Sequence, residues 1–502
     1  MTTLHSTAQI RDIETAHEAK RRRVSLMARA GAAVAREALA MLPKRKDAAI
    51  LVLAGPGNNG GDAWVAAEAL RKAGQRVSVW AIGAQKFADP ASKAAHASFV
   101  KGKGKIVNSA DDHATFDLIV DGLFGIGLKR APEGAFADAI EWVNAQAAPV
   151  LAIDIPSGLN ADTGCAAGLV IRAGKTVTFI GAKPGLYTGL ARDVCGAVRV
   201  DALGLKLAPT TCELLTPLAM AALIPTRAQA SHKGRYGNVA VVGGAEGMVG
   251  AVMLAARAAL MMGPGKVYAG FATREIPPYD PINPELMLRR ADELIDDKAI
   301  SALAIGMGLG TDKTAPRLLS AALARQVPMV IDADALNILS QNPSIGAAFQ
   351  AKMAQTARPS TSFIFTPHPG EAARLLGTST MQIESDRVAA AKHIAVSFAC
   401  IAVLKGSGTV LAHPDGRTAI NPTGNPGMAS GGMGDALSGM IAALLAMGVP
   451  AWDAARLAVY LHGAAADACI DHGMAPHGLT ASEVIFEART LLNAGLVSHE
   501  HG

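Results

Sequence analysis

Residues 49–72 read AILVLAGPGNNGGDAWVAAEALRK: an apolar run, a glycine-rich turn at 55–63, then apolar residues at helical spacing. A strand that passes through glycines into a helix starts a parallel βαβ unit. The rhythm continues outward. AAILVLA, RVSVWAI, FDLIVDGL, PVLAIDI, KTVTFI and AVRVDAL are strand candidates separated by helical patterns, which predicts a parallel sheet covered by helices. The regularity lapses around residues 205–237 in a stretch rich in Pro, Thr and Ser. A second series then follows with NVAVVGG, ALAIGMG, PMVIDAD, SFIFTPH and CIAVLKG. The expectation is two different α/β domains, residues 1–220 and 221–502, with no residue-level repeat between them.

A chain of 502 residues, half of them hydrophobic, exceeds one ordinary core and agrees with that division. The net charge of +5 is spread over 47 basic and 42 acidic residues without a basic run, and 4% aromatic content leaves little for base stacking. Nucleic acid is therefore not an expected partner, and small molecules are. Cys165, Cys195, Cys212, Cys400 and Cys469 are odd in number and lack CxxC spacing, which argues against a disulfide framework or structural zinc and fits a cytoplasmic protein. The amino terminus has no secretory pattern. The stretch DALSGMIAALLAMGVP is interrupted by Gly439, Gly448 and Pro450 and falls short of the roughly 20 apolar residues that span a bilayer. It predicts a buried helix, and no membrane association.

Gly55, Gly57 and Gly60 satisfy the spacing GxGxxG. A dinucleotide fingerprint also needs Asp or Glu about 20 residues on, and that region reads VSVWAIGAQK. Instead Asn58, Asn59 and Asp62 crowd polar groups into the turn. Asp121 in FDLIVDGLFGIGLKR, with Asp154 and Ser157 in VLAIDIPSGLNADTG, falls at the ends of two further strands. Three such ends meet beyond the carboxyl edge of a parallel sheet. Oxygen donors from Asn59, Asp121 and Ser157 suit an alkali or alkaline-earth cation, whereas each taken alone is explained as a helix cap.

LMARAGAAVAREAL, GPGNNGGDAWVAAEAL, DGLFGIGL and DIPSGLNADTG together resemble the NAD(P)H-hydrate epimerase domain, over roughly residues 5–215. One departure is Ala28, where many relatives have glutamate. The resemblance implies potassium bound by Asn59, Asp121 and Ser157. It also implies substrate held by Asn58, Asn59, Gly60, Gly61 and Asp62, by the turn Gly125, Ile126, Gly127, Leu128, Lys129, Arg130 and Ala131, and by Asp154. Epimerisation interconverts the R and S hydroxyl configurations at C6 of the hydrated nicotinamide ring. Loss of the hydroxyl, assisted by the ring nitrogen, gives a planar iminium that water can attack from either face. An acid–base group and a polar pocket suffice, and Asp154 is the candidate. Lys129 is a candidate for a substrate phosphate, with a solvated loop lysine as the alternative.

The second half has its densest chemistry in residues 404–448, LKGSGTVLAHPDGRTAINPTGNPGMASGGMGDALSGMIAALLAMG. KGSGT offers unhindered backbone amides with Lys405, Ser407 and Thr409, a cradle for phosphates. GGMGD opens the long apolar helix, so amides around Gly432–Gly434 face whatever lies above its amino end, where negative charge is favoured. Asp435 in that first turn is expected to be stabilised as the anion and to serve as a base. Neither segment matches a Walker loop. SHKGRYGNVAVVGG, GMGLG, TPHPGE, KGSGT and NPGMASGGMGDALSG resemble instead the ribokinase-like ADP-dependent NAD(P)H-hydrate dehydratase domain, over roughly residues 225–495. The fold implied for the whole chain is α/β: an amino-terminal Rossmann-like parallel three-layer sandwich and a carboxy-terminal ribokinase-like domain.

By that resemblance Lys405, Gly406, Ser407, Gly408, Thr409 and Gly434 hold ADP, and Gly308, His368 and Asp435 face the hydrated dinucleotide. Asp435 takes the proton of the C6 hydroxyl as it attacks the terminal phosphoryl, giving AMP, and phosphate then leaves. Magnesium is expected on phosphate oxygens and water, since this half shows no dense carboxylate cluster, with Glu371 behind it. For His368 a packed loop histidine is the alternative. Asp332 and Asp334 lie at a strand end facing the same crevice, with a helix cap as the alternative for one of them, and Lys233 and Arg235 are candidates for a ligand phosphate, with exposed surface positions as the default. A homo-oligomer is implied by the ribokinase-like resemblance. Two other readings stay open: a kinase acting on a stable alcohol, and a nucleotide-binding scaffold without turnover.

Overall fold

The structure is a computed structural model that describes residues 2–18, 25–42, 47–85, 87, 89–109, 115–128, 130–355, 363–474 and 476–496. The chain divides into two compact units, one of Thr3–Thr210 and one of Thr211–Gly502 with Met1–Thr2. A short strand β1 (Thr2–Thr3) opens the chain.

The first unit contains β2 (Ala49–Ala54), β3 (Arg76–Ala81), β4 (Lys105–Val107), β5 (Leu118–Gly122), β6 (Val150–Ile153), β7 (Lys175–Phe179) and β8 (Ala197–Asp201). They lie in the order β4-β3-β2-β5-β6-β7-β8, and every pairing is parallel. All six sequence-predicted strands are present, and β4 is an addition. Ile50 and Val52 belong to the core on one face, Leu51 and Leu53 to that on the other, and all four are fully buried. A strand covered on both faces reads as a continuous apolar run for this reason. From β2 the chain runs outward to β3 and β4, then crosses back to β5. Such a reversal opens a crevice at the carboxyl ends of the strands beside it, here β2 and β5.

The second unit contains β9 (Cys212–Leu214), β10 (Asn238–Gly243), β11 (Lys266–Phe271), β12 (Met287–Arg290), β13 (Ala302–Ile305), β14 (Met329–Ile331), β15 (Phe363–Phe365), β16 (Ile401–Leu404), β17 (Val410–Ala412) and β18 (Thr418–Ile420). The sheet order is β1-β9-β18-β17-β16-β15-β14-β13-β10-β11-β12. From β16 to β12 the pairing is parallel, whereas β17 is antiparallel to both β16 and β18. The five strands expected from sequence are present. The helix Met433–Ala446 packs on β10, β13 and β14 and is buried from Ala436 to Ala446, as its apolar stretch predicts. Among the described residues no helix is long and apolar enough to cross a membrane.

Candidate active sites

In the first unit the glycine turn is set by close backbone approach. A Cβ on Gly55 would lie 1.9 Å from the Leu123 carbonyl oxygen, and one on Gly60 would lie 1.8 Å from that of Gly55. Only glycine permits the end of β2 to sit this close to the end of β5. The helix Asn58–Lys72 then begins without a side-chain cap, its first amides directed to the crevice.

Three strand ends are tied by one network. Asn59 Nδ2 donates to the carbonyls of Phe124 (2.9 Å) and Ile153 (3.1 Å). The Phe124 amide donates to Ser157 Oγ at 2.9 Å. Ser157 donates to Asp121 from Oγ (2.6 Å) and from its amide (2.8 Å), and the Leu123 amide adds a third bond at 3.2 Å. Asn59, Asp121 and Ser157 are thus brought together as expected. Burial drives the fully enclosed Asp121 carboxyl up to about 6, against these hydrogen bonds, and among the described residues no Lys or Arg pairs with it. A buried carboxylate surrounded by oxygen atoms and lacking a cationic partner suits a monovalent cation.

Beside this network lies a cavity of about 550 Å³. Asn58, Asn59, Asp62, Gly125, Ile126, Gly127, Leu128, Arg130 and Asp154 all line it. Gly60 and Gly61 lie beneath, the latter against Met27, and Ala131 packs near Gly168 away from the cavity. Lys129 lies outside the described residues. Asp154 adopts φ +64°, an unusual conformation for a residue with a side chain, at the end of β6. Its carboxylate accepts from Lys183 Nζ at 2.6 Å and Thr178 Oγ1 at 3.1 Å. Lys183 is wholly buried and also donates to Thr178 Oγ1 (2.7 Å) and the Phe179 carbonyl (3.0 Å), so its three protons are all used.

Lys183 escaped the sequence reading, although FIGAKPG places a lysine just beyond a strand end beside DIPSG. Ile10, Arg11 and Glu14 of the helix Thr7–Glu18 also line the cavity. That helix is anchored by Thr7, whose amide and Oγ1 donate to Asp162 at 2.8 and 2.6 Å. Nothing local in the sequence signals its placement.

In the second unit, Gly308, Asp332, His368 and Lys405 follow the adjacent parallel strands β13, β14, β15 and β16 in turn. The amino end of the helix Met433–Ala446, entered through Gly432 at φ +87° with no side-chain cap, meets the same edge. A Cβ on Gly434 would lie 3.2 Å from Lys405 Nζ and 3.8 Å from Asp332 Oδ2. Lys405 Nζ donates to Asp332 Oδ1 at 2.7 Å and stands 4.0 Å from Glu371 Oε2. Burial pulls this ammonium down, but the surrounding carboxylates outweigh it and raise its pKa. The lysine of KGSGT thus points into the acidic group, while Gly406 and Ser407 remain exposed on the loop.

One sequence expectation needs correction. Asp435 is not stabilised as the anion: burial first, then the charges of Asp332 and Asp334, push it up to about 7 despite Lys405. Desolvation in the first turn outweighs the field of the helix end. Around Lys405, the carboxyls of Asp332, Asp334, Glu371 and Asp435 come from loops far apart in sequence. They do not form a metal cage, and no group of three His, Cys, Asp or Glu able to hold a metal occurs among the described residues.

Asp332 does cap its helix through the Ala333 amide, yet it also accepts from Lys405 and from Ser438 Oγ at 2.7 Å. Asp334 Oδ2 accepts from the Gly310 amide at 2.8 Å, tying the GMGLG turn to the cluster. His368 is itself a helix cap: Nδ1 accepts from the amides of Gly370 (3.0 Å) and Glu371 (3.3 Å), and the Glu371 side chain accepts from the His368 amide. Half of its ring stays exposed, and burial followed by Lys405 lowers its pKa. Lys233 and Arg235 are exposed.

The class of protein that the folds and sites define is a two-domain α/β enzyme, with a Rossmann-like and a ribokinase-like half. A family model described as YjeF-related protein N-terminus matches residues 23–185, and one described as NAD(P)H-hydrate dehydratase matches residues 239–487. A ribokinase-like superfamily protein from Enterococcus faecalis is 27% identical, with TM-score 0.50, over 58% of this chain and 99% of its own. The bifunctional NAD(P)H-hydrate repair enzyme of Escherichia coli is 38% identical over 488 residues, 95% of this chain and 91% of that protein. That of Coxiella burnetii is 37% identical over 505 residues, 98% and 100% of the two chains. The chain belongs to the bifunctional NAD(P)H-hydrate repair enzyme family.

Proposed function

We propose that the first domain epimerises hydrated NADH and NADPH, and that the second dehydrates the S form at the expense of ADP, giving AMP and phosphate. The observation that supports this most directly is the Asp435 carboxyl, held near 7 beside Lys405 at an uncapped helix end. An acid of that strength serves as a base toward a hydroxyl at neutral pH. Asp435 takes the C6 hydroxyl proton as the oxygen attacks the terminal phosphoryl of ADP. Lys405 and the amides around Gly434 face the charge that develops on the transferring group. Phosphate is a far better leaving group than hydroxide, so the ring nitrogen expels it, and loss of a proton from C5 restores the dihydropyridine. Gly406, Ser407, Gly408 and Thr409 hold the nucleotide, and Gly308 and His368 the dinucleotide. Magnesium bound with the nucleotide would supply positive charge beside the transferring group.

In the first domain Asp154 is the acid–base residue, and the dinucleotide lies against residues 58–62 and the turn 125–131. Asn59, Asp121 and Ser157 would hold potassium, which would supply positive charge at the strand ends. The protein acts as a cytoplasmic homo-oligomer. The test uses the intact chain with mixed hydrate epimers and ADP, following dihydronicotinamide absorbance. Intact protein recovers both epimers. Asp435→Asn recovers almost nothing, and Asp154→Asn stalls once the S form is consumed, apart from slow spontaneous epimerisation. A phosphoester that accumulates without regained absorbance overturns the reading in favour of a kinase.

A further inference from the structure

The cavity of the first domain holds a second carboxyl whose surroundings are unlike those of Asp154. Asp62 stands near the start of the helix Asn58–Lys72, is 9% exposed and lines the cavity. Asp154 accepts from Lys183 and Thr178, but among the described residues the Asp62 carboxyl has no hydrogen-bond or ion-pair partner. Without a donor, a buried carboxyl is costly as an anion and stable as an acid. The charges facing it do not favour ionisation. Asp154, Glu14 from the amino-terminal helix and Asp89 are all acidic, and burial followed by these three holds its proton well above the usual carboxylate range. Of the cations lining the cavity, Lys183 is committed to Asp154, and Arg11 and Arg130 make no ion pair with Asp62. One cavity thus contains a carboxyl without a partner, whose proton burial and neighbouring acids hold more tightly, and a carboxylate paired with a buried lysine.

Inversion at C6 requires water to leave from one face of the ring and return to the other. A single carboxyl fixed in one wall reaches one face. Asp62 comes from the helix that leaves β2, and Asp154 from the end of β6, with β5 between those strands. Both side chains line the one cavity of about 550 Å³, and the Asp154 charge acts on Asp62, so two carboxyls from different elements share a space with room for a flat ring.

We infer that Asp62 is a second catalytic acid–base residue of this site and works with Asp154 across the nicotinamide ring, one protonating the departing hydroxyl and the other deprotonating the returning water. The assignment rests on the epimerase reading of the domain. Asp62 gives its proton to the C6 hydroxyl. The C6–O bond breaks, its electron pair leaving with water, while the ring-nitrogen lone pair forms the C6=N1 iminium. A water on the other face adds to C6, the iminium pair returns to nitrogen, and the released proton passes to an Asp154 oxygen. One water is released and one consumed. The proton has moved from Asp62 to Asp154, which leaves the enzyme in the form that inverts the opposite epimer, and reverse turnover or exchange with solvent resets it.

The test follows a single hydrate epimer in oxygen-18 water, with the intact chain and without ADP, scoring inversion and label separately. Asp62→Asn is expected to lose inversion by at least about a hundredfold, and Asp62→Glu, which restores a carboxyl, to recover at least about tenfold of that loss. Asp154→Asn is expected to stop inverting yet still exchange the oxygen of one epimer, because Asp62 alone can expel water and return it to the same face. Asp62→Asn combined with Asp154→Asn loses that exchange. Exchange without inversion demands a folded site, which a merely structural role for either residue does not produce. Three results overturn the assignment. They are Asp62→Asn inverting within about threefold of the intact chain, Asp62→Glu recovering nothing, and same-face exchange in Asp154→Asn that is absent or survives the second substitution. If the intact chain inverts neither epimer, it is the epimerase reading that fails.

Discussion

Asp435→Asn should abolish dehydration and, at the same time, stabilise the second domain. The carboxyl rises from 3.8 to about 7, chiefly through burial and the charges of Asp332 and Asp334. A carboxyl held above its unfolded value stabilises the fold only while protonated. Its penalty is absent below the unfolded value, grows between about 4 and 7, and is complete above 7. At 1.36 kcal/mol per pH unit the ceiling is about 4 kcal/mol. The side chain is only half-buried, and screening by solvent reduces this to about 1–2 kcal/mol. Asparagine never incurs the penalty, so the variant should unfold roughly 2–6 °C higher at pH 8, with a much smaller gain near pH 4. The assay is thermal unfolding of the full chain without ligands at both pH values, with the second domain's transition identified as the one that ADP raises. Activity, measured by regained dihydronicotinamide absorbance, falls at least about a hundredfold. An Asn variant that is no more stable than the parent at pH 8, or equally stabilised at both pH values, refutes the assignment of Asp435 as a strained, high-pKa base.

The dehydratase kcat/KM should fall about tenfold per pH unit below about 7, because a base must be unprotonated. Asp334→Asn removes one of the charges that raise Asp435 and should move that midpoint down by about 0.5–1 pH unit; a profile flat to pH 5, or unmoved by the substitution, contradicts this. Replacing potassium by tetramethylammonium should lower the unfolding temperature of the first domain by roughly 3–6 °C when potassium had been present at about ten times its Kd, and the difference should vanish in Asp121→Asn; no difference in the parent would remove the cation from the site.

Much of this was legible because parallel sheets buried on both faces write their strands as apolar runs, and their ligands gather where those runs end. GPGNNGGD, DGLFG and DIPSG mark three such ends, and the network through Asn59, Phe124, Ser157 and Asp121 joins them. The strand β4 was missed since Lys105 and Ile106 are exposed at the sheet edge and give no apolar run. The antiparallel strands β17 and β18 are three residues each, too short to show a period. Side-chain direction was the larger gap. KGSGT suggested that Lys405 belonged with its own loop, whereas Asp332, some seventy residues earlier, decides where the ammonium goes. His368 looked like a ligand or a packed loop residue, and its first task is to cap a helix. The helix of Ile10, Arg11 and Glu14 enters the first cavity through the Thr7–Asp162 contact, which no local pattern records.

On the proposed reading the two domains meet one chemical difficulty in two ways. In both, the ring nitrogen can expel the C6 oxygen only if that oxygen leaves as something better than hydroxide. The first cavity offers proton transfer: the unpartnered Asp62 carboxyl, its pKa raised by burial, and the Asp154 carboxyl paired with Lys183 exchange protons with water that enters and departs. That route consumes nothing and therefore brings the two epimers to their equilibrium without shifting it, which is what an epimerase does. The second site offers a phosphoryl group, with Asp435 prepared to take the hydroxyl proton and Lys405 beside it to meet the negative charge. Loss of phosphate does not reverse readily, so this step draws both epimers toward the dihydropyridine. The placement of charge follows the same division. Asp62 must begin protonated and Asp435 must begin ionised, and a carboxyl poised at about 7 can do the second only because Lys405 partly offsets Asp332 and Asp334. Removing Lys405 should therefore do more than weaken phosphate binding: it should raise Asp435 further and leave the base protonated at neutral pH.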